Sequence, residues 1–332
     1  MAKKTWNWGI LGCGHIADKF AADLKFAGQA YLAAVASRSA AKASAFASRF
    51  GVARAYDSYE ELASDPDLDI IYIATPHSHH HRHTLLCLDQ HKAVLCEKAF
   101  ALNSAQVSQM IDSARRNNAF LMEAFWTRFH PSFVEALRMI QSGELGRLRM
   151  VRADFGFRGN QDPQGRLYNL SLGGGSLLDV GIYPVFTALC ALGVPETIQA
   201  MAIFAPTGAD QTLAVNFKYA DGSMASLSSS VAFWAPVQAE FWLEKGFIRL
   251  NRQFNAPTTL TVCREGGAEQ LMNFPAVPGY GYTAEAEHVM DCLDKGLVES
   301  PVLPLSFSAD LMSTLDRIRA AAGIVYPEAE AR

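Results

Sequence analysis

Residues 6–17 read WNWGILGCGHIA, an apolar run that meets a glycine turn, and residues 18–26 continue as a helix-like segment. A strand, a glycine turn and a helix in this order predict the opening of a dinucleotide-binding unit. Gly12 allows the tight turn, Gly14 lets the backbone approach a pyrophosphate, and Ala17 lets helix and strand pack closely. The first N–H groups of such a helix are free to bind phosphate. The residues predicted to bind the cofactor here are Gly12, Cys13, Gly14, His15 and Ile16.

The short glycine motif also occurs in ordinary strand-to-helix turns, so the residues that follow it decide the interpretation. A second apolar run, 31–36, ends in Ser37-Arg38-Ser39, where an NAD-selective site places a carboxylate for the ribose 2′-hydroxyl. The chain has an arginine beside a hydroxyl instead, and a guanidinium forms charge-assisted bonds with a 2′-phosphate. We therefore predict that Ser37 and Arg38 bind NADP in preference to NAD, with NAD still possible. The alternative for Arg38 is a solvated charge at the start of the next helix.

The composition is that of a globular protein without an affinity for polyanions. Its 332 residues are 50% hydrophobic, enough for two domains with sizeable cores. A formal net charge of −4 argues against nucleic acid and anionic membranes as partners. Six cysteines occur without a C-x-x-C pair, as is typical of a reducing compartment. Because neither a signal peptide nor an apolar run long enough to cross a bilayer is evident, we expect a cytoplasmic protein.

Strand-like and helix-like segments alternate over the first third of the chain. The segment 70–74 is continuously apolar, as expected for a parallel strand covered on both faces. The segment 58–61 has the pattern of a capping box, and Asn103 with Gln106 has the pattern of another helix start. Further predicted elements are helices over 40–50 and up to about 117, and strands over 93–96 and 119–123. We predict an α/β fold, a Rossmann domain with a doubly wound parallel sheet, over residues 1–124.

After residue 124 the regular alternation of strands and helices ends, and predicted strands follow one another with few helices between them. Alternating apolar residues over 213–219 lead into Asp221-Gly222, a two-residue hairpin signal. A mostly apolar helix is predicted over 176–192 after a run of glycines, and an amphipathic helix over 283–295. We therefore predict an α+β domain with an open, mainly antiparallel sheet over residues 125–332. Since one face of such a sheet is left uncovered, we expect a homodimer that pairs through it.

Glu97 and Lys98 follow the predicted strand 93–96, and ligands bind at the carboxyl ends of parallel strands. Lys98 can therefore reach past the nicotinamide to stabilise an alkoxide or to lower the pKa of a neighbouring acid. The alternative is a surface lysine at the end of a strand. The residues predicted to border the cofactor at this edge are Thr75, Pro76, His77, His80, Glu97 and Lys98.

The run 77–83 reads HSHHHRH and has the composition of a metal site. Zinc typically takes four protein ligands, or three and a water, at defined spacing, and no matching cysteine or carboxylate is evident. We predict no metal here. We expect most of these histidines to form an exposed helix start, with His77 and His80 beside the cofactor.

Asp179 and Tyr183 are four residues apart, so they share one face of an otherwise apolar helix. Tyr183 is the candidate acid/base group, because a nearby lysine lowers the pKa of a tyrosine hydroxyl from about 10. Asp179 would orient a second substrate hydroxyl or tune the pair of Tyr183 and Lys98. The alternative for Tyr183 is a core aromatic whose hydroxyl is satisfied by the backbone.

The predicted substrate pocket lies where the two domains join, because clefts form at such junctions. Ordinary packing between domains is the alternative for its aromatic residues. A loop over 155–170 contributes Arg158 and Asn160, which are both expected to contact the substrate. The residues predicted to bind substrate are Trp126, Arg128, Phe129, Arg158, Asp179 and Tyr183.

Six short motifs recur in one family of proteins. They are WGIL at 8–11 with the glycine turn, SYEEL at 58–62, VLCEK at 94–98, LMEA at 121–124, WTRF at 126–129 and LLDVGIY at 177–183. Through them the chain resembles the Gfo/Idh/MocA family of NAD(P)-dependent oxidoreductases over nearly its whole length. Many relatives have histidine at the position of Tyr183. With tyrosine there, the chain resembles the branch of the family that contains dimeric dihydrodiol dehydrogenases and NADP-dependent xylose dehydrogenases.

The resemblance implies that Lys98 lies near the nicotinamide and that Asp179 and Tyr183 form the acid/base pair. The family usually has proline after this lysine, whereas the chain has Ala99, so the fixed φ of proline is lost and Lys98 is expected to be less rigid.

We expect reversible hydride transfer between NADP and a hydroxyl-bearing carbon of a sugar, cyclic polyol or dihydrodiol, which makes the protein a dehydrogenase of CH–OH or CH–CH donors. One alternative is a carbonyl reductase that works mainly with NADPH, since the same groups serve both directions. The other is a non-catalytic NADP-binding regulator. An acid/base pair argues against a regulator, because a sensor does not need one.

Overall fold

The computed structural model describes residues 4–327. Its α-helices are α1 (His15–Leu24), α2 (Ala40–Phe50), α3 (Tyr59–Ser64), α4 (His77–Asp89), α5 (Ser104–Asn117), α6 (Pro131–Ser142), α7 (Ile182–Leu192), α8 (Thr283–Asp294) and α9 (Leu305–Ala322). Its strands are β1 (Trp6–Leu11), β2 (Ala30–Ala36), β3 (Arg54–Tyr56), β4 (Ile70–Ile73), β5 (Ala93–Glu97), β6 (Leu121–Ala124), β7 (Leu148–Gly156), β8 (Thr197–Phe204), β9 (Asp210–Lys218), β10 (Met224–Ser230), β11 (Ala239–Leu243), β12 (Gly246–Leu250), β13 (Leu260–Arg264) and β14 (Gln270–Met272). The described residues form two compact units, one of 4–126 with 277–309 and one of 127–276 with 310–327.

The first unit is built on a six-stranded parallel sheet with the order β3-β2-β1-β4-β5-β6. The strand order reverses between β1 and β4, which is where ligands bind in open α/β sheets. Every residue of β4 and β5 is buried, as expected for parallel strands with helices on both faces of the sheet. The predicted Rossmann sheet is confirmed.

Two predicted helix starts are confirmed by their capping hydrogen bonds. The hydroxyl of Ser58 accepts a hydrogen bond from the N–H of Glu61 at 3.2 Å, and the side chain of Asn103 accepts one from the N–H of Gln106 at 2.9 Å. These caps satisfy N–H groups that a helix leaves unpaired, so α3 and α5 begin where the sequence places them.

The segment 277–309 belongs to the first unit, whereas the sequence analysis assigns it to the second domain. The reason is a buried carboxylate near the end of α1. Asp23 accepts hydrogen bonds from the N–H groups of Tyr280, Gly281 and Tyr282 at 2.8–2.9 Å, directly before α8. The carboxylate pairs three N–H groups of the segment that leads into α8, and so holds that segment against α1.

The second unit is built on an eight-stranded sheet with the order β14-β13-β12-β11-β7-β10-β9-β8. Every neighbouring pair is antiparallel except β7 with β10, so the sheet is mainly antiparallel, as predicted. A hairpin joins β9 to β10 where predicted, but its loop has three residues, 220–222, rather than two, because the N–H of Tyr219 donates to the carbonyl oxygen of Ser223. Gly222 has the positive φ, +82°, that ends such a loop. Helices α6 and α7 pack on this sheet.

The apolar helix of the second unit is irregular at its start. The predicted apolar helix over 176–192 is present, and its first five residues, Leu177–Gly181, form a π-helix that α7 follows directly. Gly181 lets the π-helix approach β10, since a Cβ atom there would lie 2.7 Å from Oγ of Ser229. The stretch Leu170–Leu192 is long and apolar enough to cross a membrane, but 83% of its most apolar window is buried, as in the core helix of a globular unit.

Candidate active site

The glycine turn after β1 leaves room for a ligand at the start of α1. Gly12 has a φ of +102°, and a Cβ atom there would lie 3.0 Å from the carbonyl oxygen of Ala74. Gly14 is exposed, no side chain caps the helix after it, and α1 begins at His15 rather than at the predicted Asp18. Because a helix N-terminus combines unpaired N–H groups with a partial positive charge, this turn fits a pyrophosphate.

Cys13 lies between the two glycines as a neutral thiol. The thiol donates a hydrogen bond to the carbonyl oxygen of Ala36 at 3.5 Å, and burial raises its pKa to about 11. Ile16 is half-buried in the first turn of α1. Neither residue places a negative charge where a pyrophosphate would sit.

Arg38 is exposed directly after β2, at the position predicted to recognise the ribose. It lies close to the side chain of Tyr59, and its charge opposes the rise that burial causes in the pKa of that phenol. Ser37 is buried, and its Oγ accepts a hydrogen bond from the N–H of Ser39 at 3.4 Å. An exposed guanidinium held beside a phenol fits a 2′-phosphate, and the preference for NADP over NAD stays a prediction.

A buried histidine connects the ends of β4 and β5. Nε2 of His80 lies 2.7 Å from the carbonyl oxygen of Thr75, and Nδ1 lies 2.7 Å from that of Ala99. His80 is fully buried, and burial lowers its pKa to about 4. Nδ1 of His83 lies 3.0 Å from Oγ1 of Thr75, and burial lowers the pKa of His83 to about 3. The two imidazoles therefore fix the strand end at Thr75-Pro76.

The expectation that most histidines of the run 77–83 form an exposed helix start is wrong. His80 and His83 are buried and the other three histidines are half-buried, because α4 packs against β4 and β5 from its first turn. Among residues 4–327, no three His, Cys, Asp or Glu side chains converge in a way that could hold a metal ion.

Lys98 is half-buried at the end of β5 and follows a buried carboxylate. Glu97 accepts a short hydrogen bond from the hydroxyl of Tyr72, a fully buried residue of β4. Burial raises the pKa of the Tyr72 phenol well above its ordinary value, and the neighbouring Glu97 charge adds to that shift. The phenol therefore remains a hydrogen-bond donor to the residue before Lys98.

Ala99 stands where the resemblance implies proline, and the backbone around it is held from two sides. His80 bonds the carbonyl group of Ala99, and the N–H of Phe100 donates to Oε1 of Glu123 at 3.1 Å. Burial raises the pKa of Glu123 to about 7, and the charge of Lys98 opposes that shift. These contacts restrain the chain directly after Lys98 without the ring of a proline.

An aromatic stack lies at the end of the first unit. The rings of Trp126 and Tyr282 are parallel within 7°, with centroids 4.4 Å apart. Sequence reasoning missed Tyr282 because it placed this segment in the other domain. Arg128 and Phe129 follow in the same short 3₁₀-helix and are half-buried. The charge of Arg128 acts on the thiol of Cys190, whose pKa burial raises to about 12.

The second unit brings Asp179 and Tyr183 together with an arginine that the sequence analysis missed. Asp179 and Tyr183 are 6% and 7% exposed, so both are nearly enclosed. Nη1 of Arg166 lies 2.7 Å from Oδ1 of Asp179, and Nη2 lies 3.5 Å from Oδ2. The ring of Phe155 lies 5.4 Å from that of Tyr183. A paired carboxylate beside a phenol can orient one substrate hydroxyl and exchange a proton with another.

Arg166 lies in the loop over 155–170. In this loop Arg158, and not Arg166, is predicted to bind substrate. Arg158 and Asn160 are exposed in the same loop. The sequence signal for Arg166 was only its place in a loop close to the glycine run before Asp179. Each unit thus contains its own candidate site residues. The first has the glycine turn, Arg38 and Lys98, and the second has the group around Asp179.

The first unit has the strand order, glycine turn and strand-end lysine of a nicotinamide-dependent oxidoreductase, and the second adds a buried acid/base candidate. Residues 6–125 match the model of the oxidoreductase family with an NAD-binding Rossmann fold, and residues 133–249 match the GFO/IDH/MocA C-terminal domain. The chain belongs to the Gfo/Idh/MocA family, as the motifs predicted.

Three known proteins illustrate the similarity. The chain is 40% identical over 335 residues to trans-1,2-dihydrobenzene-1,2-diol dehydrogenase from Mus musculus, covering 97% of this chain and 98% of the relative. The fold matches an aldose-aldose oxidoreductase from Caulobacter crescentus complexed with glycerol, with a TM-score of 0.88, 23% identity and coverage of 96% and 98%. It also matches a 3-ketoreductase from Actinomadura kijaniata in complex with NADP and TDP-benzene, with a TM-score of 0.86, 25% identity and coverage of 96% and 98%.

These matches confirm the predicted class of enzyme. The protein is an NAD(P)-dependent dehydrogenase that acts on a hydroxyl-bearing carbon of a small molecule. The alternative of a non-catalytic regulator is therefore set aside. The roles of individual site residues and the choice of NADP over NAD stay predictions.

Proposed function

We propose that the protein transfers a hydride reversibly between NADP and a secondary alcohol that carries a second, adjacent hydroxyl, in a sugar, cyclic polyol or trans-dihydrodiol. The observation that carries this proposal is the enclosed pair of Asp179 and Tyr183 with Arg166 on Asp179. A diol needs one group that exchanges a proton and one that accepts a hydrogen bond from the other hydroxyl. The relative named as a trans-dihydrodiol dehydrogenase supports the same substrate class.

A bound nicotinamide would be the hydride acceptor. The side chains of the protein would transfer the proton and stabilise the negative charge on the substrate oxygen. The deprotonated hydroxyl of Tyr183 takes the proton of the reacting alcohol and becomes the neutral phenol, and the Lys98 ammonium stabilises the alkoxide that forms. In the reverse direction the phenol returns this proton to the alkoxide. Asp179 accepts a hydrogen bond from the second hydroxyl. Arg166 holds the Asp179 carboxylate in place, because a guanidinium forms charge-assisted hydrogen bonds with a carboxylate.

The test is a substrate screen that follows NADPH formation by its near-ultraviolet absorbance. The purified protein is assayed with NADP or NAD and a panel of aldoses, inositols and trans-dihydrodiols, and with NADPH and the matching carbonyl compounds. Turnover of vicinal diols, with simple monohydric alcohols much slower, supports the proposal. Tight NADP binding without turnover in either direction would contradict it.

The cofactor preference is tested by Arg38→Ala. We expect kcat/KM with NADP to fall about 10- to 100-fold, because a charge-assisted hydrogen bond contributes roughly 1.5–3 kcal/mol. The value with NAD should change little, since NAD has no 2′-phosphate. Arg116→Ala, which removes an exposed arginine of α5, is the control and should leave both values unchanged. An unchanged NADP to NAD ratio in Arg38→Ala would remove Arg38 from cofactor recognition.

We also propose that the protein is a cytoplasmic homodimer that pairs through the sheet of the second unit. Met201 and Ile203 of β8 are 75% and 60% exposed, and Met224 and Trp242 form a cross-strand row with Met150. Exposed apolar side chains on an open sheet favour contact with a second copy. The free thiols of all six cysteines suit a reducing compartment.

The dimer is tested by Met201→Lys. A lysine at this exposed position is harmless in a monomer, but burying its charge in an interface weakens association. Sedimentation equilibrium should show dimers for the wild type and a population shifted to monomers for the variant. Val134→Lys, at an exposed apolar position of α6, is the control and should remain dimeric. A wild type that sediments as a monomer would contradict the proposal.

A further inference from the structure

The helix that carries Asp179 and Tyr183 is anchored at its start by a carboxylate from a distant strand. Asp210, the first residue of β9, is fully buried. It accepts hydrogen bonds from the N–H of Leu177 at 2.7 Å and from the hydroxyl of Ser176 at 2.9 Å. Leu177 opens the π-helix, and the side chain of Ser176 makes no capping bond of its own. Asp210 therefore takes the place of an N-cap residue.

The backbone before this helix is shaped around the Asp210 carboxylate. Gly175 has a φ of +133°, and any Cβ atom there would overlap the carboxylate. The hydroxyl of Tyr326, near the end of the described chain, donates to Oδ1 of Asp210 at 3.4 Å. Oγ of Ser176 lies 3.0 Å from Oγ of Ser229 on β10. Two separate segments, 175–177 and the one that carries Tyr326, thus meet at one carboxylate, and β10 joins them through Ser176. The close approach of the carboxylate explains why residue 175 is a glycine.

The groups that face Asp210 favour its ionised form at neutral pH. Burial raises its pKa to about 6, and the hydrogen bonds from Leu177, Ser176 and Tyr326 lower it. The segments around it contribute hydroxyls, from Ser176, Ser229 and Tyr326, and the guanidinium of Arg319 lies 4.9 Å from the centre of the Tyr326 ring. An ionised carboxylate at a helix start is also stabilised by the helix dipole. Protonation would turn one acceptor oxygen into a donor.

Because the helix begins as a π-helix, its hydrogen bond with Asp210 affects the orientation of the residues that follow it. Its wider turn holds more residues than an α-helical turn, and such turns are found at functional sites. If the segment 177–181 rewound as α-helix, Tyr183 would turn about 100° around the helix axis, the rotation of one residue. The hydrogen bond to Leu177 fixes the winding at its first residue.

We propose that Asp210 is a positioning residue that holds the π-helix in register, so that Tyr183 and Asp179 face the substrate together. The inference rests on the proposed function of these two residues. Asp210 acts through the helix and does not touch the substrate.

The test is Asp210→Asn in the full-length protein. We expect kcat to fall about 10- to 100-fold, the range of a misplaced catalytic group, with an unchanged Kd for NADPH in a fluorescence titration. The wild-type kcat should decline on the acid side with a midpoint near pH 6, and this limb should be absent in the variant. Asp221→Asn, which removes a hairpin carboxylate at the far end of β9, is the control and should keep both kcat and the limb.

Ser176→Ala gives a second readout that does not depend on how well the asparagine folds. The hydroxyl of Ser176 lowers the pKa of Asp210, so its loss should move the acid limb to higher pH. Unchanged acid limbs in both variants would overturn the inference. Wild-type protein without turnover would instead contradict the proposed function, so the two failures are distinguishable.

Discussion

Tyr183→Phe is expected to lower kcat by about 10³-fold while leaving the Kd for NADPH unchanged, because a positioned acid/base group contributes on the order of 10²–10⁴ to the rate. The ring is 7% exposed and packs against Phe155 at 5.4 Å, and phenylalanine keeps that packing. Only the proton-exchanging hydroxyl is lost. Steady-state kinetics with the best substrate of the screen, together with a fluorescence titration of NADPH, measure the two quantities.

Tyr219→Phe is the matched control for the loss of a buried tyrosine hydroxyl. Tyr219 is 5% exposed beside the β9–β10 hairpin, and its hydroxyl has no hydrogen-bond partner within residues 4–327. Its variant should retain wild-type kcat. A second comparison uses Lys98→Met: if Lys98 and Tyr183 act on one alkoxide, the double variant should be little slower than the slower single variant. Full activity of Tyr183→Phe would remove the hydroxyl from the mechanism.

The parts of the fold that sequence predicted well are those that local chemistry dictates. The glycine turn, the capped starts of α3 and α5, and the hairpin at Asp221-Gly222 each depend on residues within a few positions of one another. Buried parallel strands such as β4 and β5 are continuous apolar runs for the same reason. These features do not depend on the distant parts of the chain.

The parts that sequence missed depend on contacts between distant residues. Asp23 binds N–H groups 257 to 259 positions later, and nothing local to either segment predicts that pairing. Arg166 became recognisable only once the loop folded back onto Asp179. The composition of the histidine run predicts a polar surface, yet His80 is buried, because the backbone supplies a carbonyl oxygen that accepts the single N–H of the neutral imidazole. A polar side chain can be buried when its partners are supplied by the fold.

In the candidate site, too, some residues can be predicted from the local sequence and others only from contacts between distant segments. Lys98, Asp179 and Tyr183 are recognisable from short motifs, because each lies on an element whose pattern fixes its position. The groups that hold them, Glu123 beside the backbone after Lys98 and Asp210 at the helix start, lie on other strands. Residues that hold the catalytic candidates in place from distant strands can therefore be identified only from the tertiary structure.

Glu285→Gln is expected to stabilise the protein increasingly as pH rises. Glu285 lies on α8 with 0% exposure, and neither carboxyl oxygen has a hydrogen-bond partner in the described part of the chain. Burial raises its pKa well above the ordinary value, and the charge of Glu97 raises it further. An unpaired buried carboxylate is far more costly than the neutral acid, so the folded protein keeps this proton to a higher pH than the unfolded chain does.

The sign follows from proton binding in the two states. Above about pH 4.3 the unfolded chain loses this proton and the folded chain keeps it, so the free energy of unfolding falls by about 1.4 kcal/mol per pH unit until the folded pKa is reached. Glutamine cannot ionise and removes this slope. Urea denaturation at about pH 5 and about pH 8 should therefore give a difference between variant and wild type that grows with pH. Glu287→Gln, at an exposed position of the same helix, should show a constant difference. Parallel pH dependences for wild type and Glu285→Gln would mean that the buried carboxyl is ionised in the folded state.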